Sequence, residues 1–344
     1  MTRMTTLARA RAQLLYGPRG HDVVGAVRHL LAVQAQDPAA YPLALRARVP
    51  GLTAARLTEA VRGAALVRCW GPRGTLHLIA ADDLPWLYPL VKPAPAASLR
   101  RLRQLGVDTD ADAAAEATAK ALAGQGPLTK PELGERLARA GIPAEGQAIV
   151  HLAGLAAGRG QVVLGPERAG KPTYVHAGDW LGAPLPVEGT DREAATRTLV
   201  ARYLAAHGPA GPDDLAAWSG LPRGEFERIW PGAGEPAGGP GGVRLVPAFD
   251  EYLLGWRTRD HAVAEAHRRR VHPGGGIIRP ALLVDGRVAG TWRLRRAARA
   301  ELTVEPFAPL SGAVRDGIAA EAADIGAFLG RDVTLAVDQA GQPV

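Results

Sequence analysis

The sequence predicts an α+β fold in which tandem winged-helix motifs precede a small C-terminal β-barrel. The first observation is a repeated pattern at 126–143 and 208–222, where a Gly-Pro entry, an acidic residue before a leucine and a short apolar helix lead to a glycine. The second is a strand, Gly-rich turn and strand at 160–180. The third is a tail of alternating strands on either side of an Asp285-Gly286 turn.

The first copy of the repeat contains the signals of a helix-turn-helix. Thr129 is the expected N-cap, Pro131 suits an early helical position and Glu132 suits the positive end of the helix dipole. Gly141 and Gly220 occupy corresponding positions, where a left-handed turn residue is required. A second helix at 147–155 and a wing at 160–180 complete the predicted unit.

The first hundred residues follow the same pattern more loosely. Residues 23–34 carry an apolar stripe of helical period, and Thr53 is the expected N-cap of a further helix. Two β-type runs within 66–79 surround the turn at 71–74, which indicates a hairpin-like wing. A helix is expected to start at 82–91.

The C-terminal tail predicts a small barrel, or a sheet with one packed helix. Strands are expected at 279–296, 301–310 and 331–338, and an amphipathic helix is expected at 313–330.

Composition excludes several classes of protein. The chain has 344 residues, 47% of them hydrophobic, which is enough for two to four domains with a sizeable core. Cys69 is the only cysteine, so an intrachain disulfide and a cysteine-based zinc site are excluded. The histidines lack metal-ligand spacing, and no metal or cofactor is expected. A secretory h-region and a membrane-spanning apolar run are both missing, which predicts a cytoplasmic protein without a membrane partner.

The positive charge is concentrated towards the C-terminus. The chain has a formal charge of +7, while residues 257–299 contain eleven arginines and three acidic residues, a net charge of +8. A basic block inside strand-like sequence is typical of a nucleic-acid-binding surface, although a solvated basic face is the common alternative.

Four stretches, at 30–48, 68–87, 246–259 and 277–293, resemble the winged-helix DNA glycosylases represented by AlkZ and YcaQ. The similarity runs nearly end to end and in the same order. It implies three tandem winged helices around a DNA channel, with a C-terminal β-barrel as scaffold. It also implies excision of bulky N7-alkylated purines and, in some members, unhooking of interstrand crosslinks.

The resemblance implies a division into four parts and a partner. Winged helix 1 is expected at 1–108, winged helix 2 at 109–186, winged helix 3 at 187–246 and the barrel at 247–344. The expected partner is double-stranded DNA that carries alkylated purines, bound by a monomer.

The same resemblance indicates the catalytic residues. AlkZ-type members carry Gln-aliphatic-Gln and YcaQ-type members carry Gln-aliphatic-Asp, and here the motif is Gln34-Ala35-Gln36. On an ideal helix the two glutamines lie about 200° apart, so they can face one site only if the helix ends there. Pro38 favours such an end. Without the resemblance, a core amide at 34 and a solvated amide at 36 would be the simpler interpretation.

Further residues are candidates for DNA contact or catalysis. Candidates for DNA contact are Arg73, His77, Arg257, Arg259 and Arg293, with a structural role for His77 equally open. Asp37 is expected to cap a turn. Asp250 and Glu251 form a second candidate catalytic pair, for which a structural role, in pairing with the arginine block or capping a turn, is preferred. A DNA binder or transcription regulator without catalysis is the alternative function.

Overall fold

The computed structural model describes residues 2–18, 20–142, 144–232, 239–296 and 300–339, and it shows an α+β fold. The helices are α1 (Arg3–Ala12), α2 (Val23–Leu30), α3 (Tyr41–Arg46), α4 (Ala54–Arg62), α5 (Leu84–Val91), α6 (Pro95–Gln104), α7 (Ala111–Leu122), α8 (Lys130–Arg139), α9 (Gln147–Gly158), α10 (Ala177–Leu181), α11 (Arg192–His207), α12 (Pro212–Ser219), α13 (Gly224–Glu227), α14 (Glu251–Leu254), α15 (Arg268–Val271) and α16 (Gly312–Leu329). The strands are β1 (Val33–Gln34), β2 (Leu66–Trp70), β3 (Leu76–Ala80), β4 (Leu128–Thr129), β5 (Val162–Arg168), β6 (Lys171–His176), β7 (Val243–Val246), β8 (Ala281–Val284), β9 (Arg287–Arg296), β10 (Ala300–Pro306) and β11 (Val333–Val337). Within the described ranges, no helix is long and apolar enough to cross a membrane.

The chain divides into two compact units. The first comprises residues 1–57, 200–218 and 222–344, and the second comprises residues 58–199 and 219–221. Of the four parts expected from the sequence, 109–186 lies wholly within the second unit, whereas 1–108 and 187–246 contribute to both units. The four-part division stays a prediction.

The second unit contains an antiparallel sheet with its strands in the order β3-β2-β5-β6-β4. The predicted hairpin around 71–74 is confirmed, because β2 and β3 pair from Leu66 to Ala80. The Gly-rich turn at 160–180 also joins a hairpin, β5 with β6. Helices α7, α8 and α9 supply much of the core of this unit, with Leu133 and Leu152 completely buried.

Local signals fix the ends of its helices. Thr129 and Glu132 form a capping box at the start of α8, with the Glu132 carboxylate 2.7 Å from the Thr129 backbone nitrogen. Gly141 and Gly220 have φ angles of 82° and 78°, which confirms the left-handed turns predicted for them.

The first unit contains a sheet with its strands in the order β11-β10-β9-β8-β7. Strands β10 and β11 are parallel and the other neighbours are antiparallel. The Asp285-Gly286 turn joins β8 to β9, as predicted, with φ angles of 51° and 79°. Residues 243–246, expected within winged helix 3, form β7, which is an edge of this C-terminal sheet.

The predicted C-terminal β-barrel is wrong, because in the described residues the sheet stays open, and the alternative of a sheet with one packed helix is confirmed. Its edge strands, β7 and β11, are not neighbours. Helix α16 packs against both of them and buries Ile318, Ile325 and Phe328. The apolar face of the sheet is thereby covered by a helix, so burial does not require the edges to meet.

A cluster of buried rings lies in the core of the first unit. His207 stacks on Tyr203 with 4.3 Å between ring centroids and meets Trp256 edge-on at 5.2 Å. His261 lies 4.5 Å from the Trp256 ring. Burial lowers the pKa of both His207 and His261 to about 3, so both rings are neutral at pH 7.

We expect the free energy of unfolding to fall as the pH drops below about 6.5. Above that pH both histidines are neutral in the folded and unfolded chain; between pH 6.5 and 3 only the unfolded chain takes up their protons. Each histidine therefore contributes a slope of up to about 1.4 kcal/mol per pH unit in this window. Urea unfolding at a series of pH values measures the slope.

The variant His207→Asn tests the assignment. The substitution should reduce the slope of the free energy of unfolding against pH by the contribution of one proton. Any loss of stability at pH 7 through altered packing is separate from this change in slope. An unchanged slope in this variant would contradict the neutral state of His207.

Candidate active site

The glutamine segment follows a helix that ends earlier than predicted. The sequence predicted helix over 23–34, but α2 ends at Leu30. Leu31 adopts φ 71° and ψ −56°, a backbone conformation that side-chain-bearing residues rarely enter. Its side chain is completely buried, so packing holds this strained conformation in place.

Gln34 and Gln36 are held close together without a helix. Gln34 is the last residue of the short strand β1, and Gln36 lies in the bend that follows it. The backbone N–H of Gln36 donates to the side-chain Oε1 of Gln34 at 3.3 Å, and Ala35 between them is completely buried. Gln34 is 9% exposed and Gln36 is exposed. The segment therefore passes from the buried Gln34 to the exposed Gln36, with the Gln34 carboxamide held against the Gln36 backbone.

Asp37 caps the turn that follows. Its Oδ1 accepts the N–H of Ala39 at 2.8 Å. The predicted turn-capping role is therefore confirmed.

Glu251 holds the backbone of the glutamine segment. The Gln34 N–H donates to Glu251 Oε1 at 2.6 Å, and the indole Nε1–H of Trp218 donates to Glu251 Oε2 at 3.3 Å. Glu251 is only 2% exposed. Sequence reasoning missed this contact, because 217 residues separate its partners and no local pattern connects them. The structural role preferred for Glu251 is correct, yet the residue it contacts is the candidate catalytic one.

Asp250 forms a buried ion pair, but not with the arginine block predicted for it. Both of its carboxylate oxygens accept from Arg48, at 2.7 and 2.8 Å, and both side chains are completely buried. Asp250 is also the N-cap of α14, accepting the Tyr252 N–H at 2.9 Å. The remaining Arg48 donors bond to Gln13 and Ala44. The turn-capping part of the prediction is thus confirmed.

Arg73 and His77 lie on the β2–β3 hairpin of the second unit. Arg73 is exposed at the turn with φ 57°, and a phosphate contact there stays a prediction. His77 is completely buried, with Nδ1 3.0 Å from the Thr75 carbonyl oxygen. Burial lowers the pKa of His77 to about 3. Direct DNA contact by His77 is therefore not supported, because the side chain has no open face.

The arginine block is partly neutralised by nearby carboxylates. Arg293 forms an ion pair with Glu305 on the neighbouring strand, and Arg268 pairs with Asp260 and Glu265. Arg257 is exposed, whereas Arg259 is half-buried. Asp260 and Glu265 are already counted in the net charge of +8, so only Glu305 lowers it further. Arg299 lies outside the described residues.

One end of the sheet in the first unit collects exposed arginines near the glutamine segment. Val246 of β7 pairs with Ala281 of β8, and Ala281 pairs with Thr291 of β9. At this end of the sheet, the chain leaves β7 towards Glu251, and β9 continues past Thr291 as far as Arg296. The Arg296 guanidinium donates to the carbonyl of Ala39 at 3.1 Å, three residues after Gln36.

Comparison with known proteins agrees with a nucleic-acid repair enzyme. A model of the DNA glycosylase AlkZ-like family matches residues 27–328, so the chain belongs to the AlkZ-like DNA glycosylases. It is similar to an interstrand DNA cross-link repair glycosylase of Streptomyces sahachiroi, with 30% identity over 338 residues, 84% of this chain and 85% of the relative.

The fold is also that of a solved structure. DNA glycosylase AlkZ of Streptomyces sahachiroi superimposes with a TM-score of 0.73 at 24% identity, covering 98% of this chain and 99% of the other.

We expect Arg48→Met to lower the free energy of unfolding by about 3–5 kcal/mol, because it leaves Asp250 buried without its counter-charge. The double variant Arg48→Met/Asp250→Leu should recover most of that loss, apart from about 1 kcal/mol for the lost N-cap of α14. Urea unfolding measures both.

Arg268→Met is the matched control. It removes an exposed ion pair and should change stability by less than about 1 kcal/mol. Equal losses of stability in Arg48→Met and Arg268→Met would contradict the larger contribution expected of the buried pair.

Proposed function

We propose that the chain hydrolyses the N-glycosidic bond of N7-alkylated purine nucleotides in double-stranded DNA, with water positioned by Gln34 and Gln36. The substrates are bulky adducts, and interstrand crosslinks are included because the curated relative is named for their repair. The protein would act as a monofunctional glycosylase, without a covalent lysine intermediate, and as a monomer in the cytoplasm, where a bacterial chromosome lies.

The chemistry requires little from the enzyme. An N7-alkylated purine is already cationic, so the base departs without a general acid. The remaining tasks are to stabilise positive charge on the sugar as the bond breaks and to place a water at C1′. A primary amide has a carbonyl acceptor and two N–H donors, so a pair of amides can orient that water and direct carbonyl oxygens towards the cation.

The observation that supports the proposal is the contact between Gln34 and Gln36 where the buried segment reaches the surface. Gln34 Oε1 accepts the backbone N–H of Gln36, which leaves a second lone pair directed away from that bond. Gln36 is exposed and Gln34 is at the edge of the buried region. A water held between them would be open to a substrate on one side only.

Positive charge near this segment supports DNA as the partner. Arg279 is exposed two residues before β8, and Arg296 contacts the turn after Gln36. Both belong to the end of the sheet from which the chain continues to Glu251. Phosphates that neutralise these arginines would bring the sugar-phosphate backbone towards the two amides.

The second unit supports the winged-helix part of the proposal. Its elements α7, β4, α8, α9, β5 and β6 follow the chain order of a winged helix, and β4 pairs with the β5–β6 hairpin through β6. Winged helices bind duplex DNA through a helix in the major groove and a flanking wing. We propose this role for 109–186, with related units at 1–108 and 187–246.

We expect Gln34→Ala and Gln36→Ala each to slow base release by about 100-fold or more, because each removes a group that acts on the transition state. Single-turnover abasic-site formation on a duplex with one N7-alkylguanine measures the rate. Duplex affinity should be nearly unchanged.

The control is Gln104→Ala, an exposed glutamine on α6. Wild-type rates in both active-site variants would contradict the glutamine mechanism. Tight duplex binding by the wild-type protein, without base release from any N7-alkylated duplex, would instead support a non-catalytic DNA-binding protein.

We expect Arg279→Gln to weaken binding to damaged and undamaged duplexes equally. The slope of the logarithm of the binding constant against the logarithm of the salt concentration should fall by the contribution of about one phosphate contact. Arg3→Gln is the control, because Arg3 is also exposed but pairs with Asp285 at the opposite end of the same sheet. Fluorescence anisotropy at a series of salt concentrations measures both. An equal effect of the two substitutions would contradict the placement of DNA at the Gln34 end.

A further inference from the structure

A buried carboxylate lies directly behind the backbone of the proposed catalytic segment. Glu251 accepts the Gln34 N–H through Oε1 and the Trp218 indole N–H through Oε2. The Gln34 contact, at 2.6 Å, is short even for a charged acceptor. Both carboxylate oxygens are thus engaged with donors of the protein, and Glu251 is 2% exposed. Glu251 therefore cannot serve as the base that activates water.

The position of Glu251 is itself fixed from its other side. Its neighbour Asp250 is clamped by Arg48 through two hydrogen bonds and caps α14, in which Glu251 is the first residue. Trp218, the second donor to Glu251, is completely buried and packs at 5.7 Å from the Tyr203 ring. The carboxylate is thus attached to a rigid part of the first unit.

The glutamine segment depends on such an external support. Helix α2 ends at Leu30 and the strained Leu31 redirects the chain, so Gln34 has no helical acceptor for its N–H. A shift of the segment by one residue would bring the N–H of Val33 or Ala35 to Glu251 in place of that of Gln34, and it would displace both glutamines. The Glu251 acceptor opposes this shift because it meets the N–H of one particular residue.

We propose that Glu251 is a positioning residue that sets the register of the Gln34-Ala35-Gln36 segment, so that both amides face the substrate. The inference rests on the proposed function of the two glutamines. It assigns to Glu251 a part in the rate of base release but none in DNA affinity, since the carboxylate does not touch the duplex.

Two variants test the proposal. Glu251→Met keeps the size of the side chain but removes the acceptor, and it should slow single-turnover base release on the order of 100-fold with unchanged duplex affinity. Glu251→Gln keeps a carbonyl acceptor and should retain more of the rate. The Gln34 amide proton, shifted far downfield by its short bond to a carboxylate, should move upfield in both variants.

A matched control separates positioning from stability. Glu321 is also a buried carboxylate, at 7% exposed, and it accepts from Arg46 and from the backbone of Leu245. Glu321→Met should destabilise the protein while the Gln34 amide signal and the rate of base release per folded molecule stay as in the wild type.

The outcomes distinguish the two proposals. A wild-type rate in Glu251→Met, with Gln34→Ala inactive, would overturn the positioning role and leave the proposed function intact. Wild-type rates in Gln34→Ala and Gln36→Ala would overturn the function and the positioning role together. If Glu251→Met does not fold, Glu251→Gln decides: an unmoved Gln34 amide signal with full activity overturns the proposal, and an upfield shift with a reduced rate supports it.

Discussion

A buried backbone N–H must find an acceptor, and at Gln34 this requirement organises the candidate active site. Once α2 has ended, the helix offers no carbonyl to this N–H, and the acceptor comes from Glu251. A carboxylate at that depth needs donors on both oxygens, which Trp218 helps to supply, and a fixed backbone, which the Arg48–Asp250 pair provides. The need of one backbone N–H for an acceptor thus connects segments that lie 217 residues apart in the chain.

The parts of the fold that depend on neighbours in sequence could be predicted. The capping box at Thr129, the left-handed glycines at 141 and 220 and the Asp285-Gly286 hairpin all follow from backbone preferences of a few residues. The choice between a closed barrel and an open sheet with one packed helix could not be made in the same way. Whether edge strands meet depends on how much apolar surface α16 covers, and that is a property of the packed sheet.

The candidate site shows the same division. The resemblance to a known family identified Gln34 and Gln36, but the periodicity of residues 23–34 predicted helical geometry as far as Gln34, with the end of the helix close to Pro38. Leu31 defeats that prediction, since nothing in the pattern marks a leucine as the end of a helix. Glu251 was visible only as an acidic residue after a strand, because a contact across 217 residues leaves no trace in local patterns.

The strained Leu31 has a consequence for how this enzyme can change. A glycine at this position would relieve about 1–3 kcal/mol of backbone strain. It would also lose a similar free energy from burial of the leucine side chain, which is completely buried. Because the two quantities nearly balance, selection for thermal robustness gains little by replacing the leucine. The bend that precedes the glutamine segment is therefore retained at almost no net expense, and it can persist through sequence drift without a glycine to mark it.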